Sequence, residues 1–466
     1  MRLPPLLIAG LILSGCASMN SVEPEPPLLA DHFIETHQET AQSALSEEAW
    51  WFSFADEKLN NLISLALANN YSLKASYARL QQSEAQWVKA GSGQLPNLNL
   101  NLQRTQRWQD SSDSEGGQYE LGADASYELD FWGRVAALDE QALQQYYAMD
   151  AAVNIQTNTV VSQVALSWYG WVKETQQLDL LHRQQQRIEN ALTVVRGRYL
   201  QGTVLASDIW QQEQLLESIH SEIINSETRQ DIFRQQLALW LGENYLEKEL
   251  LALPTAAYQI PDILQATQKV SSLALQQRPD ILQAYAQLQA ASAGLHIAET
   301  NRYPRFTLSA SYRSVADTPE DLLSNWVANF IAGLTMPLLN GGNLAADVKL
   351  NEALVSEKLA NYQQVLLVAM QEIEEALLNE KQQLSLQASM RYQLQLANQT
   401  QNFKSQRYLQ GVGDFLSLLT SQQDVLGLER QTLNAKFLQL QYRIQLLTTL
   451  SHGRFTSADD EEIGNE

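Results

Sequence analysis

The chain of 466 residues contains a single cysteine, Cys16, so no disulfide can form within it. Its six histidines, His32, His37, His182, His220, His296 and His452, are scattered, and none forms a helical pair at ligand spacing. A metal site is therefore not expected. Basic residues are scarce, with 31 Lys and Arg against 53 Asp and Glu and a formal net charge of -22. Nucleic-acid binding without sequence preference requires cations to neutralise phosphates, and this balance argues against it. No nucleophile elbow, phosphate-cradling Gly loop or kinase motif set is found, so no enzymatic activity and no cofactor are expected. The apolar run Leu3 to Leu13 is too short to cross a bilayer as a helix. The acidity itself admits two readings, a solvated surface or an acidic, water-filled interior.

The N-terminal run does fit the core of a signal peptide (residues 1–15), with Arg2 before it. Leu13-Ser14-Gly15-Cys16 follows and matches the lipobox of bacterial lipoproteins, in which the cysteine thiol is acylated and becomes the first mature residue. A plain secretory signal with an incidental cysteine is the alternative. Ala17 and Ser18 come next, without the Asp that often retains lipoproteins at the inner membrane, which points to the outer membrane of a Gram-negative cell. The rest of residues 16–49 is rich in Pro and Glu and reads as an extended linker.

Beyond the linker the chain repeats itself. Arg198-Tyr199-Leu200-Gln201-Gly202 recurs as Arg407-Tyr408-Leu409-Gln410-Gly411. In both copies a Gly ends a long helical pattern and a second helical pattern follows, which predicts two helical hairpins with tips at about 198–208 and 407–417. In the first hairpin Leu181, Ile188, Leu192 and Val195 form the incoming seam, and Ile209, Leu216, Ile219 and Ile223 the outgoing one. In the second, Leu419, Leu426, Leu433, Leu440 and Leu447 recur every seven residues, with Phe437 and Ile444 between them. This is coiled-coil spacing. About 60 helical residues would extend roughly 90 Å, longer than a compact domain needs.

Each hairpin is preceded by a shorter helix and two stretches of period two. Residues from Leu59 to Ala90 read as one helix. Strands are expected at about 96–107, 117–131, 304–314 and 325–339. In the second of these, Tyr119, Leu121, Ala123, Ala125, Tyr127 and Leu129 alternate with Glu120, Asp124, Glu128 and Asp130. One apolar face and one polar face suit either a half-buried soluble hairpin or a membrane barrel strand with water on its polar side. The expected domains are a first repeat at 50–257, a second at 258–453 and an acidic tail at 454–466. Four strands per chain cannot close a barrel, and open sheet edges invite pairing with other chains, so a symmetric oligomer is the simplest resolution.

The lipobox, the duplicated hairpin, the strand exit Leu129-Asp130-Phe131-Trp132-Gly133-Arg134 and its counterpart Pro337-Leu338-Leu339-Asn340-Gly341-Gly342 together resemble the TolC-like outer-membrane efflux proteins, in their lipid-anchored branch. The resemblance spans about Trp50 to Gly453. It implies a mainly α fold, a long coiled-coil α-barrel joined to a β-barrel of twelve strands from three chains. It further implies passive export from a periplasmic adaptor and an inner-membrane pump, of the RND type or alternatively the ABC type, with outer-membrane lipid around the barrel. A non-conducting scaffold bridging the envelope is the competing reading. The resemblance places the periplasmic gate at the hairpin tips, where Arg198, Tyr199, Asp208, Arg407, Tyr408 and Asp414 are candidates. Gly202, Thr203, Gly411 and Val412 are candidates for adaptor docking. Asp208 lies where the family often has an acidic residue. Ser417 occupies the matching site in the second copy, and Asp414 sits nearer its Gly instead.

Overall fold

The computed structural model describes residues 50–108, 116–247 and 277–451, together with Leu251, Ile260 and Leu275. The expected signal peptide, Cys16, the linker and the acidic tail lie outside the described residues, as does most of the loop beginning at Asp110. The chain forms two compact units. One gathers Tyr77–Ala152 and Asp280–Val365, and the other gathers the described parts of Ala30–Ser76, Val153–Pro279 and Leu366–Glu466. Each unit thus draws one share from each half of the duplicated sequence.

The helices are α1 (Glu57–Asn69), α2 (Tyr71–Gly91), α3 (Arg134–Leu200), α4 (Ala206–Trp240), α5 (Pro279–Thr300), α6 (Asn343–Leu409) and α7 (Phe415–Leu450). The strands are β1 (Asn97–Arg107), β2 (Gly116–Leu129), β3 (Arg305–Ala316) and β4 (Trp326–Thr335). Helices α3 and α6 are both 67 residues long, as a duplication requires. Among the described residues no helix is long and apolar enough to cross a membrane.

The first unit carries a four-stranded sheet in the order β1-β2-β3-β4, antiparallel throughout. Side chains alternate across a strand, so the register decides which residues share a face. It aligns Leu100, Ala123, Tyr312 and Ala328 in one row and Leu98, Ala125, Ala310 and Phe330 in the next. Between these rows, on the opposite face, lie Asn99, Asp124, Ser311 and Asn329. That face is polar on β1 to β3 and mixed on β4, where Val327 and Ile331 accompany Asn329. The apolar face is bare on the edge strands, where Leu98, Leu100 and Phe330 are 73%, 76% and 72% exposed, and largely half-buried on β2 and β3.

Three boundaries differ from expectation. Strand β4 stops at Thr335 rather than 339, because β3 begins opposite it at Arg305 and Pro337 has no N–H to donate. Strand β2 stops at Leu129 rather than 131, because the Phe131 N–H turns back to the Leu129 carbonyl and Gly133 adopts φ 72°. The helix expected from Leu59 to Ala90 breaks at Asn70. The Asn70 N–H closes α1 on the Ala66 carbonyl, its Oδ1 accepts the Leu73 N–H at 3.0 Å to cap α2, and its Nδ2 donates to the Trp240 carbonyl at 2.9 Å. One buried residue thus serves three helix ends, two through its side chain and one through its backbone N–H, satisfying groups that helix termini leave unpaired.

The junction below the sheet ties the two halves together. Trp132 Nε1 donates to the Pro304 carbonyl at 2.7 Å, and its ring lies against Tyr303. Phe131 meets Phe306 edge-on at 4.9 Å. Arg134 forks onto Glu128 at 2.7 and 2.8 Å, and the Asp130 carboxylate accepts the Ala136 N–H at the start of α3. Toward the other strand ends Tyr312 stacks on Trp326. Aromatic residues at both ends of an apolar band are the arrangement of a membrane-crossing sheet.

The second unit is helical. One core joins Trp51, Ile63, Val164, Trp168, Leu237 and Ile444. Full burial of each large side chain contributes about 1.5–3 kcal/mol. Asp56 caps α1 through the Leu59 N–H and accepts Trp168 Nε1 at 2.9 Å, fixing α1 against α3. A second core further along the hairpins joins Leu181, Ile188, Val195, Leu215, Ile219, Leu419 and Leu426. All but Leu215 are seam positions read from the heptad spacing; the expected Leu216 is partly buried against this core.

Candidate functional site

The two hairpin tips share one backbone solution. After α3 the Gly202 N–H donates to the Tyr199 carbonyl at 2.9 Å and the Thr203 N–H to the Arg198 carbonyl at 3.1 Å. After α6 the Gly411 and Val412 N–H groups donate to Tyr408 and Arg407 at 3.0 and 3.1 Å. This paired pattern is a Schellman cap, and it demands a left-handed residue at the glycine. Gly202 and Gly411 supply it with φ 73° and 80°. Five identical residues therefore encode two identical helix stops.

The side chains part company. Arg198 reaches the other hairpin, where its Nη1 donates to the Tyr408 carbonyl at 2.6 Å and its guanidinium lies 4.5 Å above the Tyr408 ring. Tyr408 is 5% exposed and also contacts Phe415. Burial pushes its phenol above the ordinary value, Arg198 opposes that shift and Asp208 adds to it. The counterpart residues do not repeat the clasp. Tyr199 is 44% exposed. Arg407 folds onto its own hairpin, donating to the Val412 carbonyl at 3.2 Å and lying over Phe403. Thr203 Oγ1 donates to the Arg198 carbonyl, which steadies the first turn only.

The acidic candidates also differ. Asp414 is the N-cap of α7, its carboxylate accepting the Ser417 N–H at 2.8 Å, and that hydrogen bond holds its carboxyl below the usual range. Asp208 lies in the first turn of α4, whose N-cap, Leu205, offers no side-chain acceptor. Ser207 Oγ is 3.4 Å from an Asp208 oxygen. The structure thus brings Arg198, Tyr408 and Asp208 into one electrostatic neighbourhood and gives Asp414 a structural bond of its own.

A polar contact higher in the hairpins was missed. Glu174 on α3 is 1% exposed and accepts from Ser226 Oγ at 2.6 Å, Arg229 Nε at 3.0 Å and Lys173 Nζ at 2.7 Å. Its signal was present: Glu174 continues the heptad seam of Leu181, Ile188 and Val195. At the matching place in the second hairpin Gln383 Nε2 donates to the Ala435 carbonyl at 2.9 Å. Among the described residues no group of His, Cys, Asp and Glu is arranged to hold a metal.

Helical hairpins with a clasped tip, in a chain that also carries an amphipathic sheet with bare edges, define a channel-forming subunit. The sequence profile of the family described as outer membrane efflux protein matches residues 62–243 and 270–452, once for each half. The pyoverdine export outer membrane protein OpmQ of Pseudomonas putida is 30% identical over 433 residues, covering 88% of this chain and 89% of that protein. The probable outer membrane lipoprotein SilC of Salmonella typhimurium is 25% identical and covers 95% of this chain and 96% of that protein. The solved Campylobacter jejuni CmeC outer membrane channel superposes with a TM-score of 0.78 at 22% identity, over 92% of this chain and 96% of that one. The chain belongs to the outer membrane efflux protein family. It is the outer-membrane channel of an efflux system.

Proposed function

We propose that three copies of the chain close one twelve-stranded barrel and conduct small solutes passively from a periplasmic adaptor and an inner-membrane pump to the exterior. The sheet carries this reading. Its apolar face is exposed on the edge strands β1 and β4 and largely half-buried on β2 and β3, while among the described residues β1 and β4 each pair on one side only. Such a surface needs lipid, and such edges need a neighbouring chain. A non-conducting scaffold has no use for either. Cys16 supplies the acyl anchor, in keeping with the name of SilC, a probable outer membrane lipoprotein. The partner pump in this reading is of the RND type, with an ABC-type pump the alternative. The tips form the closing gate through Arg198, Tyr199, Asp208, Arg407, Tyr408 and Asp414, and Gly202, Thr203, Gly411 and Val412 face the adaptor.

The full-length protein purified from membranes tests this reading. It is expected to run as a trimer by native mass spectrometry, to carry acyl chains at Cys16, and to conduct in planar bilayers. A monomer that never conducts, even with Arg198→Ala to open the tip, would overturn the channel proposal. Unacylated Cys16 would overturn the anchor alone.

A further inference from the structure

The polar face of the sheet is not uniformly charged. Glu120 is paired with Arg313 at 2.9 Å, and Glu128 with Arg134 at 2.7 Å. Between these two ion pairs lies Asp124, exposed and without a partner among the described residues, in a row whose other members, Asn99, Ser311 and Asn329, are neutral. Glu120 and Glu128 each stand four positions from Asp124 along β2, about 14 Å at the rise of an antiparallel strand. Arg305, the other cation on this face with no carboxylate partner among the described side chains, donates to Asn301 and begins β3. It lies six positions from Ser311, the residue opposite Asp124, or about 20 Å away. The Debye length at physiological ionic strength is about 8 Å. Arg313 stands diagonally across from Asp124 on the same face, about 7–8 Å away, but its charge is already matched by Glu120, so the Glu120–Arg313–Asp124 group keeps one net negative charge, which neither the Glu128–Arg134 pair nor Arg305 cancels.

We infer, on the reading that three copies close one barrel with this face inward, that Asp124 forms a ring of three carboxylates in the barrel lumen and makes the barrel itself selective for cations. Neighbouring copies in the ring are four strands apart, about 19 Å along the hydrogen-bonding direction. The ring therefore enriches small cations near the wall without blocking a bulky solute, and screening limits its reach. This selectivity element is independent of any charge at the hairpin tips.

The test is the reversal potential of the full-length protein in planar bilayers under a KCl gradient. Asp124→Asn preserves size and hydrogen bonding. It is expected to lower the potassium-to-chloride permeability ratio roughly two- to threefold near 0.1 M salt, with the difference vanishing near 1 M as the Debye length falls to about 3 Å. The same drop is expected in an Asp208→Asn background. As a second readout, Asp124→Cys is treated with thiol reagents of either charge. A negative adduct restores cation preference and a positive one reverses it. Conducting channels whose selectivity is unmoved by Asp124→Asn, or is abolished by Asp208→Asn alone, would overturn the inference. So would an Asp124→Cys channel unaffected by either reagent. Protein that never conducts counts against the trimeric barrel instead.

Discussion

The first and second hairpins are two uses of one sequence. They agree in helix length, in the Schellman cap and in the five residues that build it. They disagree wherever a side chain leaves its own helix. Arg198 crosses to Tyr408, whereas Arg407 stays at home. The first hairpin buries the carboxylate of Glu174, and the second places Gln383 at the same station. Asp414 caps α7, and its positional counterpart at the start of α4 is Leu205. Duplication preserved the backbone, which needs only seam residues and a glycine, and released the polar contacts to diverge. In the proposed trimer, six hairpins with alternating chemistry allow one set to clasp and the other to be clasped.

The largest break in this pairing is at the buried polar station. Glu174→Ala leaves Lys173 and Arg229 without their shared anion and Ser226 without an acceptor. Removing one partner of a buried pair costs about 3–5 kcal/mol. Arg229 is 43% exposed and regains water, which places the expected loss near the lower end. Gln383→Ala removes one neutral hydrogen bond, worth about 1 kcal/mol. Thermal unfolding in detergent is expected to show a clearly larger drop in midpoint for Glu174→Ala. Equal drops would mean that the two stations are energetically alike and that the comparison is only chemical.

The tip clasp comes next. Arg198→Ala removes a charged hydrogen bond and a cation–π contact, together about 2 kcal/mol. On the gate reading this shifts the open–closed balance roughly 30-fold. Arg407→Ala removes contacts within a single hairpin, so open probability in planar bilayers is expected to change by less than about twofold. A larger effect from Arg407 would relocate the clasp to the second hairpin.

Much of this architecture was legible because it is periodic. Seven-residue spacing gave the seams that pack as Leu419, Leu426 and Leu440, and two-residue alternation gave the faces of β2 and their register partners. The repeated Gly gave the helix stops. What escaped was aperiodic. Asn70 breaks a helix whose apolar spacing runs straight through it, because this one residue serves the two helix ends beside it and a third at Trp240, which is distant in sequence. The Arg198–Tyr408 clasp joins two copies of the same pentapeptide, and identity gives no clue to which arginine crosses. Asp414 stands just before a helical run, where an N-cap is expected, so ordinary capping was readable from the sequence beside the gating role.

The smallest test concerns that cap. Asp414 has a depressed pKa, so its contribution is fully present above the unfolded carboxylate value of 3.8 and is lost as pH falls through its lower folded value. The cap therefore stays intact throughout the neutral and mildly acidic range, and a pH step from 7 to 5 is expected to leave α7 unchanged, an order-of-magnitude argument from linkage. Mutation reaches what pH does not. Asp414→Leu copies the first hairpin's N-cap into the second and is expected to speed hydrogen exchange in the first turn of α7. Leu205→Asp does the reverse. Leu205 is exposed with extended backbone at the α4 N-cap, so a carboxylate there can accept an N–H from the first turn without strain. A new N-cap is worth about 1 kcal/mol, or about fivefold slower exchange in that turn. If exchange in α4 does not slow, the difference between the hairpin starts resides in the neighbouring residues, Asp208 first among them, rather than in the cap.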